Sequence, residues 1–164
     1  MTPRDLYFAS HHQAAHVVTA ITLGCEVHYV DIGLPMEEVG WSLDTASVSD
    51  IEAVCAAGFE MERLLGRLYD QAWARSQEDR NLLASLYSDR TGLTMDQATL
   101  TERFLAGATS CRSILDHQTS RNAIDLVADA LSTLLESGLH RLSAEAIYSI
   151  TGNALRSVSP ALPA

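Results

Sequence analysis

Most of this chain is divided into helix-length segments by capping residues at their starts and glycines at their ends, which leaves little room for an extensive sheet. The first segment begins at residues 2–5 (TPRD), where a capping hydroxyl precedes a proline and an acid. It should end near Leu23, before Gly24. Further helices are predicted over residues 50–68, 76–89, 94–117 (with a break at Gly107), 120–137 and 143–152.

Only one region has the composition of β-structure. Residues 27–32 (VHYVDI) are rich in β-branched and aromatic side chains, and residues 38–43 (EVGWSL) suit a returning strand. Residues 33–37 contain a proline and predict a turn between the two. The predicted fold class is therefore mainly α with a small β-hairpin.

Length and composition fit one domain. The chain has 164 residues, of which 47% are hydrophobic, and this is enough for a single core. We assign residues 1–156 to this domain and residues 157–164, which include two prolines, to a flexible C-terminal tail. The apolar face of residues 120–137 would either join the core or form the contact of a homo-oligomer.

The charge balance excludes several classes of function. The formal net charge is −10, and all 11 basic residues are Arg. Nucleic-acid binding depends on dense positive charge, so no nucleic-acid partner is expected. A chain without Lys can form neither a Walker-type phosphate loop nor a Schiff-base enzyme.

The cysteines and the hydropathy pattern indicate a cytoplasmic protein without a membrane partner. Cys25, Cys55 and Cys111 are widely spaced and odd in number, which is typical of reduced thiols. The apolar stretch from residue 7 to residue 23 contains three histidines, so it is neither a membrane span nor a signal peptide.

The segment HQAAH, residues 12–16, is the pattern with the clearest chemical meaning. Two histidines four residues apart lie on one face of a helix, so His12 and His16 can reach one metal ion. In zinc peptidases the corresponding HExxH helix places a general-base Glu directly after the first His, where this chain has Gln13. The alternative interpretation is that these histidines are hydrogen-bonded core residues.

Residues 9–18 (ASHHQAAHVV) are similar to a zinc-binding HEAGHAV helix, and several later segments follow it in the order found in one known family. These segments are residue 24 with strand 27–32, residues 40–42 (GWS), 57–66 (AGFEMERLLG), 76–79 (SQED) and 142–145 (LSAE). Together they resemble the FtsH-type ATP-dependent zinc metalloproteases and their small stand-alone bacterial relatives. The resemblance covers residues 7 to about 150 and implies a zincin-like metallopeptidase helical domain.

The resemblance implies a ligand set for zinc. His12, His16 and Asp79 would bind the metal, with Asp79 supplied by the first turn of a later helix. Glu62 is the alternative third ligand, or else a carboxylate that contacts one of the histidines from behind. Asp79 could instead be a helix-start acid that is stabilised by the helix dipole.

A substrate site is expected beside the metal. Gly40, Trp41 and Ser42 resemble the family's edge strand, and an edge strand can pair with an extended peptide. Trp41 could instead cover the core. The ATPase module of the family's large members does not fit in this chain, so the expected partner is an accessible peptide or a flexible protein segment.

Gln13 is the departure with the largest consequence. Gln has the size of Glu but takes up no proton at neutral pH, so the predicted function is a zinc metallopeptidase with attenuated activity. Three alternatives remain: a metal-binding pseudopeptidase that binds peptides without cleavage, a metal enzyme repurposed for a small molecule, and an acidic helical protein without metal. Gln13 is either a substitution made to trap substrate or a natural loss of peptidase chemistry.

Three polar side chains near these motifs are expected at the surface. His11 points about 100° away from His12 around the helix, Glu60 points away from Glu62, and Arg80 follows Asp79 in a charged helix start. His11 is therefore not expected to share a metal ion with His12.

Overall fold

A computed structural model describes residues 1–33 and 37–156. It confirms a mainly helical chain with a small antiparallel sheet. The elements in chain order are α1 (Pro3–Thr22), β1 (Glu26–Asp31), β2 (Glu38–Ser42), α2 (Val48–Leu64), α3 (Tyr69–Arg75), α4 (Gln77–Thr91), α5 (Gln97–Leu115), α6 (Gln118–Glu136), β3 (Arg141–Ser143) and α7 (Ala144–Arg156). The predicted tail, residues 157–164, lies outside the described residues, as do residues 34–36 of the predicted turn.

Helix α1 is the centre of the domain. Thr2 and Asp5 form a reciprocal capping box at its start, and Gly24 follows its end with a φ of 82°. Every residue from Phe8 to Ala20 is buried, because α1 packs against α2, α5, α6 and both strands of the hairpin. A helix that is buried on all sides can bring polar side chains into a site that excludes most water.

The predicted hairpin is present, but it belongs to a three-stranded sheet. β1 pairs in antiparallel register with β2, from Glu26 opposite Ser42 to Asp31 opposite Glu38, and also with β3. The strand order β2-β1-β3 leaves β2 at one edge of the sheet. The three-residue β3 is too short for a sequence pattern to reveal.

Helices α2 and α5 pack closely, and this explains Gly107. A Cβ atom at residue 107 would collide with the carbonyl group of Glu52 in α2. The predicted break at Gly107 was wrong, because α5 is continuous through it and the missing side chain serves helix packing. α5 also begins later than predicted, since Asp96 supplies its N-terminal cap by accepting a hydrogen bond from the Thr99 N–H.

The sequence pattern missed α3. α2 ends at Leu64 and not at residue 68, because Gly66 turns the chain with a φ of 90°. α3 places Trp73 next to Arg80, whose guanidinium carbon lies 3.9 Å from the ring centroid. Arg80 was expected in solvent but is buried, and it donates hydrogen bonds to the Trp73 carbonyl and the Ser76 hydroxyl.

Helix α6 closes the other side of α1, and α7 packs against α6 and the sheet. Ile124, Val127 and Leu131 on the apolar face of α6 are fully buried, so this face belongs to the core. The three cysteines are free and buried, and burial raises the pKa of each thiol. No helix in the described part of the chain has the length and hydropathy needed to cross a lipid bilayer.

Candidate metal centre

The structure brings together His12 and His16 from α1 and Asp79 from the first turn of α4. His12 Nε2 lies 3.1 Å from Asp79 Oδ2, and His16 Nε2 lies 3.3 Å from Asp79 Oδ1. The possible ligand atoms of the three residues all lie within 4.8 Å of one another. The term metal cluster below refers to these three side chains, which are the candidate ligands of a single ion. The helical spacing places the two rings one turn apart, and the loop and short helix before α4 deliver the carboxylate.

Each histidine is held through its other ring nitrogen. His12 Nδ1 lies 2.8 Å from Glu62 Oε1, and His16 Nδ1 lies 2.7 Å from the carbonyl oxygen of Val54. A carboxylate and a carbonyl only accept hydrogen bonds, so each Nδ1 donates its proton. Both Nε2 atoms therefore face Asp79, with the outer hydrogen bonds that are typical of metal-binding histidines.

His16 Nε2 is the atom of the cluster that most clearly lacks a partner among the described residues. It is buried, and no described residue offers it a hydrogen bond of good geometry, although Asp79 Oδ1 is near. The observed nitrogen–oxygen separations are close to the roughly 3.3 Å expected between two ligands of a tetrahedral zinc ion. The cluster could hold a metal ion, and two imidazoles with one carboxylate fit zinc with one coordination position open to the cleft.

Gly58 provides the space for the His12 ring. A Cβ atom at residue 58 would collide with the ring carbons and Nε2 of His12. Only glycine lets α2 approach α1 closely enough for Glu62, one turn further on, to reach His12 Nδ1. Gly58 therefore has a direct steric role at the candidate metal centre.

Glu62, the alternative third ligand, lies behind His12 and outside the cluster. Its side chain is fully buried, and it accepts hydrogen bonds from His12 and from Arg67 Nη1 at 2.9 Å. Arg75 Nε is 3.7 Å from Glu62 Oε1, while Nη2 of the same arginine donates to Glu37, which lines the cleft. Neither arginine could be predicted as a partner of Glu62 from the sequence, because no local pattern reveals a partner brought in by a turn and a short helix.

The Glu62→Gln variant should weaken metal binding by about 10- to 100-fold, because it removes the charge that orients and polarises His12. Zinc affinity measured by competition with a chromophoric chelator tests this. Glu60→Gln is a matched control, since Glu60 is also buried and ion-paired, with Arg112, but lies away from the metal cluster. Equal zinc affinities for the two variants would remove Glu62 from the metal centre.

Glu60 and His11 are the other polar side chains whose expected exposure was wrong. Glu60 is buried under α5, where Arg112 Nε donates to it at 2.7 Å. His11 is only 5% exposed, because α6 covers that side of α1, and it lies 3.2 Å from Asp125 Oδ1. Neither side chain belongs to the cluster of His12, His16 and Asp79.

The charges within the cluster shift two pKa values. Burial alone would lower the pKa of His12, but Asp79 and Glu62 outweigh it and raise the pKa to about 9. Burial alone would raise the pKa of Asp79, but the His16 and His12 imidazoles hold it well below its ordinary value. Without a metal, His12 is therefore an imidazolium between two carboxylates.

These shifts predict how the metal-free protein responds to pH. The His12 contribution to stability should be complete below its unfolded pKa of 6.5 and should disappear as the pH rises through about 9. The Asp79 contribution should be present above its unfolded pKa of 3.8 and should disappear under more acidic conditions. In chelator, urea denaturation should therefore show a stability that declines from pH 6.5 to 9.

The His12→Gln variant provides the control, because it lacks the titrating imidazole and should show a flatter profile over the same interval. A flat wild-type profile in chelator would contradict the assignment of His12 as a protonated bridge. With zinc the slope should reverse, since the metal competes with the proton for Nε2.

A cleft of about 560 Å³ opens beside the cluster, between α1, β2 and α4. Gln13 lines it next to His16, and Gln13 hydrogen-bonds to none of the described residues, so its amide is free to meet a ligand. Trp41 is the other wall, with its ring centroid 5.8 Å from that of His16. The remaining lining residues are Glu37, Glu38, Val39, Glu78, Asp79 and Leu82.

The three predicted substrate-binding residues of β2 lie on different faces of the strand. Trp41 faces the metal cluster, whereas Gly40 lies against the Tyr29 ring of β1, where a Cβ atom would collide. Ser42 hydrogen-bonds to His28 Nε2 at 2.8 Å, on the opposite face of the strand. Side-chain contact with a ligand in the cleft is therefore available to Trp41, while Gly40 and Ser42 offer backbone groups.

Comparison with known proteins adds no relative to this description. No protein-family model matches the chain, and no curated protein is significantly similar to it. The arrangement of the side chains is therefore what supports a functional conclusion.

Proposed function

We propose that this protein is a zinc metallopeptidase-like protein of zincin type that binds an accessible peptide or flexible protein segment and hydrolyses it weakly. One observation carries the proposal: two imidazole Nε2 atoms and one carboxylate converge at a cleft, while the opposite nitrogens are fixed from behind. His12, His16 and Asp79 would hold the ion. When bound, zinc would supply Lewis-acid polarisation of a carbonyl group and acidify a water molecule.

The chain's own residues suit an extended peptide. β2 is an edge strand, so the backbone groups on its outer side are open to another strand. Trp41, which belongs to β2, contacts His16 of α1. A peptide paired with β2 would therefore have a peptide bond close to the metal cluster. Such a peptide would lie parallel to this strand, beside the three candidate metal ligands, and would not cross over them.

Gln13 sets the activity. It lies in α1 between the two histidines and lines the cleft, in the position of the general base of an HExxH helix. Its amide can orient a water molecule or a carbonyl group by hydrogen bonding, but it accepts no proton at neutral pH. Peptide hydrolysis by this chain should therefore be slow.

Gln13 also favours a second candidate, a pseudopeptidase that holds peptides without cleaving them. A metal enzyme acting on a small molecule is the third, since 560 Å³ is within the range of small-molecule pockets. The candidates share one metal centre and differ in what occupies the cleft.

A peptide hydroxamate separates these candidates without requiring turnover, because the hydroxamate binds zinc and the peptide part reports on β2. We expect a labelled peptide hydroxamate to bind the zinc-loaded protein more tightly than acetohydroxamate does, and to be released by a chelator. The Trp41→Ala variant should weaken only the peptide form. Equal affinity for the two probes would favour the small-molecule enzyme, and binding of neither would contradict the proposed site.

A further inference from the structure

We propose that the cleft beside the metal cluster is one end of a longer acidic groove that selects extended peptides with basic side chains. This inference rests on the proposed peptide-binding function and specifies its substrate class. A second cavity, of about 460 Å³, lies next to the first, and Trp41 lines both.

One face of α4 forms a continuous wall along the two cavities. Glu78 and Leu82 line the cleft, and Leu86 and Asp89 line the second cavity, a spacing of three to four residues along one helix face. From residue 78 to residue 89 this face extends about 16 Å, at the helical rise per residue. An extended peptide covers that length with about five residues.

The groove is far more acidic than the chain as a whole. Its lining contains six carboxylates and one cation, whereas the chain has 21 acidic and 11 basic residues. The carboxylates are those of Glu37, Glu38, Asp44, Glu78, Asp79 and Asp89. Arg90, the cation, donates hydrogen bonds to the backbone carbonyls of Leu43, Asp44 and Ala46, so its guanidinium is already engaged.

Several of these carboxylates have no cation of their own. Glu37 is paired with Arg75, and Asp79 faces the two histidines. Glu78, Asp44 and Asp89 form no ion pair with any residue that the structure describes. A bound cationic side chain is what would balance them.

Two further observations indicate a ligand and not merely an acidic surface. Gln13 lies at the cleft end of the groove, is only 5% exposed and hydrogen-bonds to no described residue, so its amide is left for a ligand. Leucine and isoleucine side chains, Leu82, Leu86 and Ile51, lie among the carboxylates. Lys and Arg combine an apolar stem with a charged end, so they match such a lining better than any other side chains.

Peptide binding to the zinc-loaded wild-type protein tests this inference, because slow turnover allows equilibrium to be reached. Three labelled heptapeptides share their apolar positions and carry two Lys, two Gln or two Glu at the variable positions. By fluorescence anisotropy the Lys peptide should bind about 3- to 10-fold more tightly than the Gln peptide, and the Glu peptide should bind most weakly. The difference should shrink in 0.5 M salt, since these carboxylates are partly exposed.

A matched pair of charge reversals locates the effect. Glu78 and Glu145 are both exposed and both lie in the first turn of a helix, but only Glu78 lines the groove. Glu78→Arg should weaken the Lys peptide several-fold and strengthen the Glu peptide, whereas Glu145→Arg should change neither.

Each result is decisive. If the three peptides bind equally well, or if both reversals act alike, the inference is wrong while the peptide-binding function stands. If none of the peptides binds the zinc-loaded protein, the proposed function fails together with the inference.

Discussion

Zinc should bind this protein with one equivalent and should raise its melting temperature by about 10 °C. A ligand present at about 1,000 times its Kd stabilises the native state by about 4 kcal/mol, and a domain of this size gains about 2–4 °C per kcal/mol. His12→Ala removes one of two imidazole ligands and should reduce zinc affinity on the order of 1,000-fold or more. Metal analysis and thermal denaturation with and without chelator measure both effects.

His11→Ala is the matched control for this experiment. His11 precedes His12 in the same helix and is also buried and hydrogen-bonded, but it contacts Tyr7 and Asp125 and not the metal cluster. Both variants should lower the stability of the metal-free protein, since each removes a buried ring. Only His11→Ala should keep the zinc-dependent rise in melting temperature. If both variants lose this rise, the assignment of His12 as a zinc ligand is wrong.

Features determined by neighbouring residues could be predicted from the sequence. Thr2, Pro3 and Asp5 define the start of α1 through local hydrogen bonds, and Gly24 marks its end. The His12–His16 spacing belongs to the same class, because four residues along a helix place two rings on one face without help from the rest of the fold.

Features that depend on packing between distant segments could not be predicted. Gly107 suggested a break and instead lies where α2 crosses α5. His11 and Glu60 were expected at the surface from their helical positions, but α6 and α5 cover them. A helical periodicity shows which residues share a face, but it does not show whether a second helix covers that face.

The candidate metal centre combines both kinds of feature. His12 and His16 follow from local spacing, and Asp79 was proposed from the family resemblance. The Glu62–His12 hydrogen bond was one of two alternatives, and the structure shows Glu62 behind the ring. The Val54 carbonyl that holds His16 carries no sequence signal at all, because any residue has that group.

The Gln13→Glu variant should gain chelator-sensitive peptide hydrolysis of about 100- to 10,000-fold over the wild type, which is the usual contribution of a general base. Gln and Glu have nearly the same shape, and Gln13 hydrogen-bonds to no described residue, so the substitution breaks no hydrogen bond among them. A quenched-fluorescence peptide library, with Lys- and Glu-containing members, measures the gain. The substitution replaces the donor NH2 group of the amide with an acceptor oxygen and leaves the candidate ligands in place.

The double variant Gln13→Glu with Asp79→Asn separates restored catalysis from a contaminating peptidase. Asp79 is the carboxylate that completes the cluster, so the double variant should lose both zinc and hydrolysis. If Gln13→Glu binds zinc and the peptide hydroxamate but cleaves no member of the library, the missing proton acceptor is not what limits this chain. The cleft would then serve to hold a peptide, and the pseudopeptidase would be the better description, because binding depends on Trp41 and β2 whereas turnover also depends on position 13.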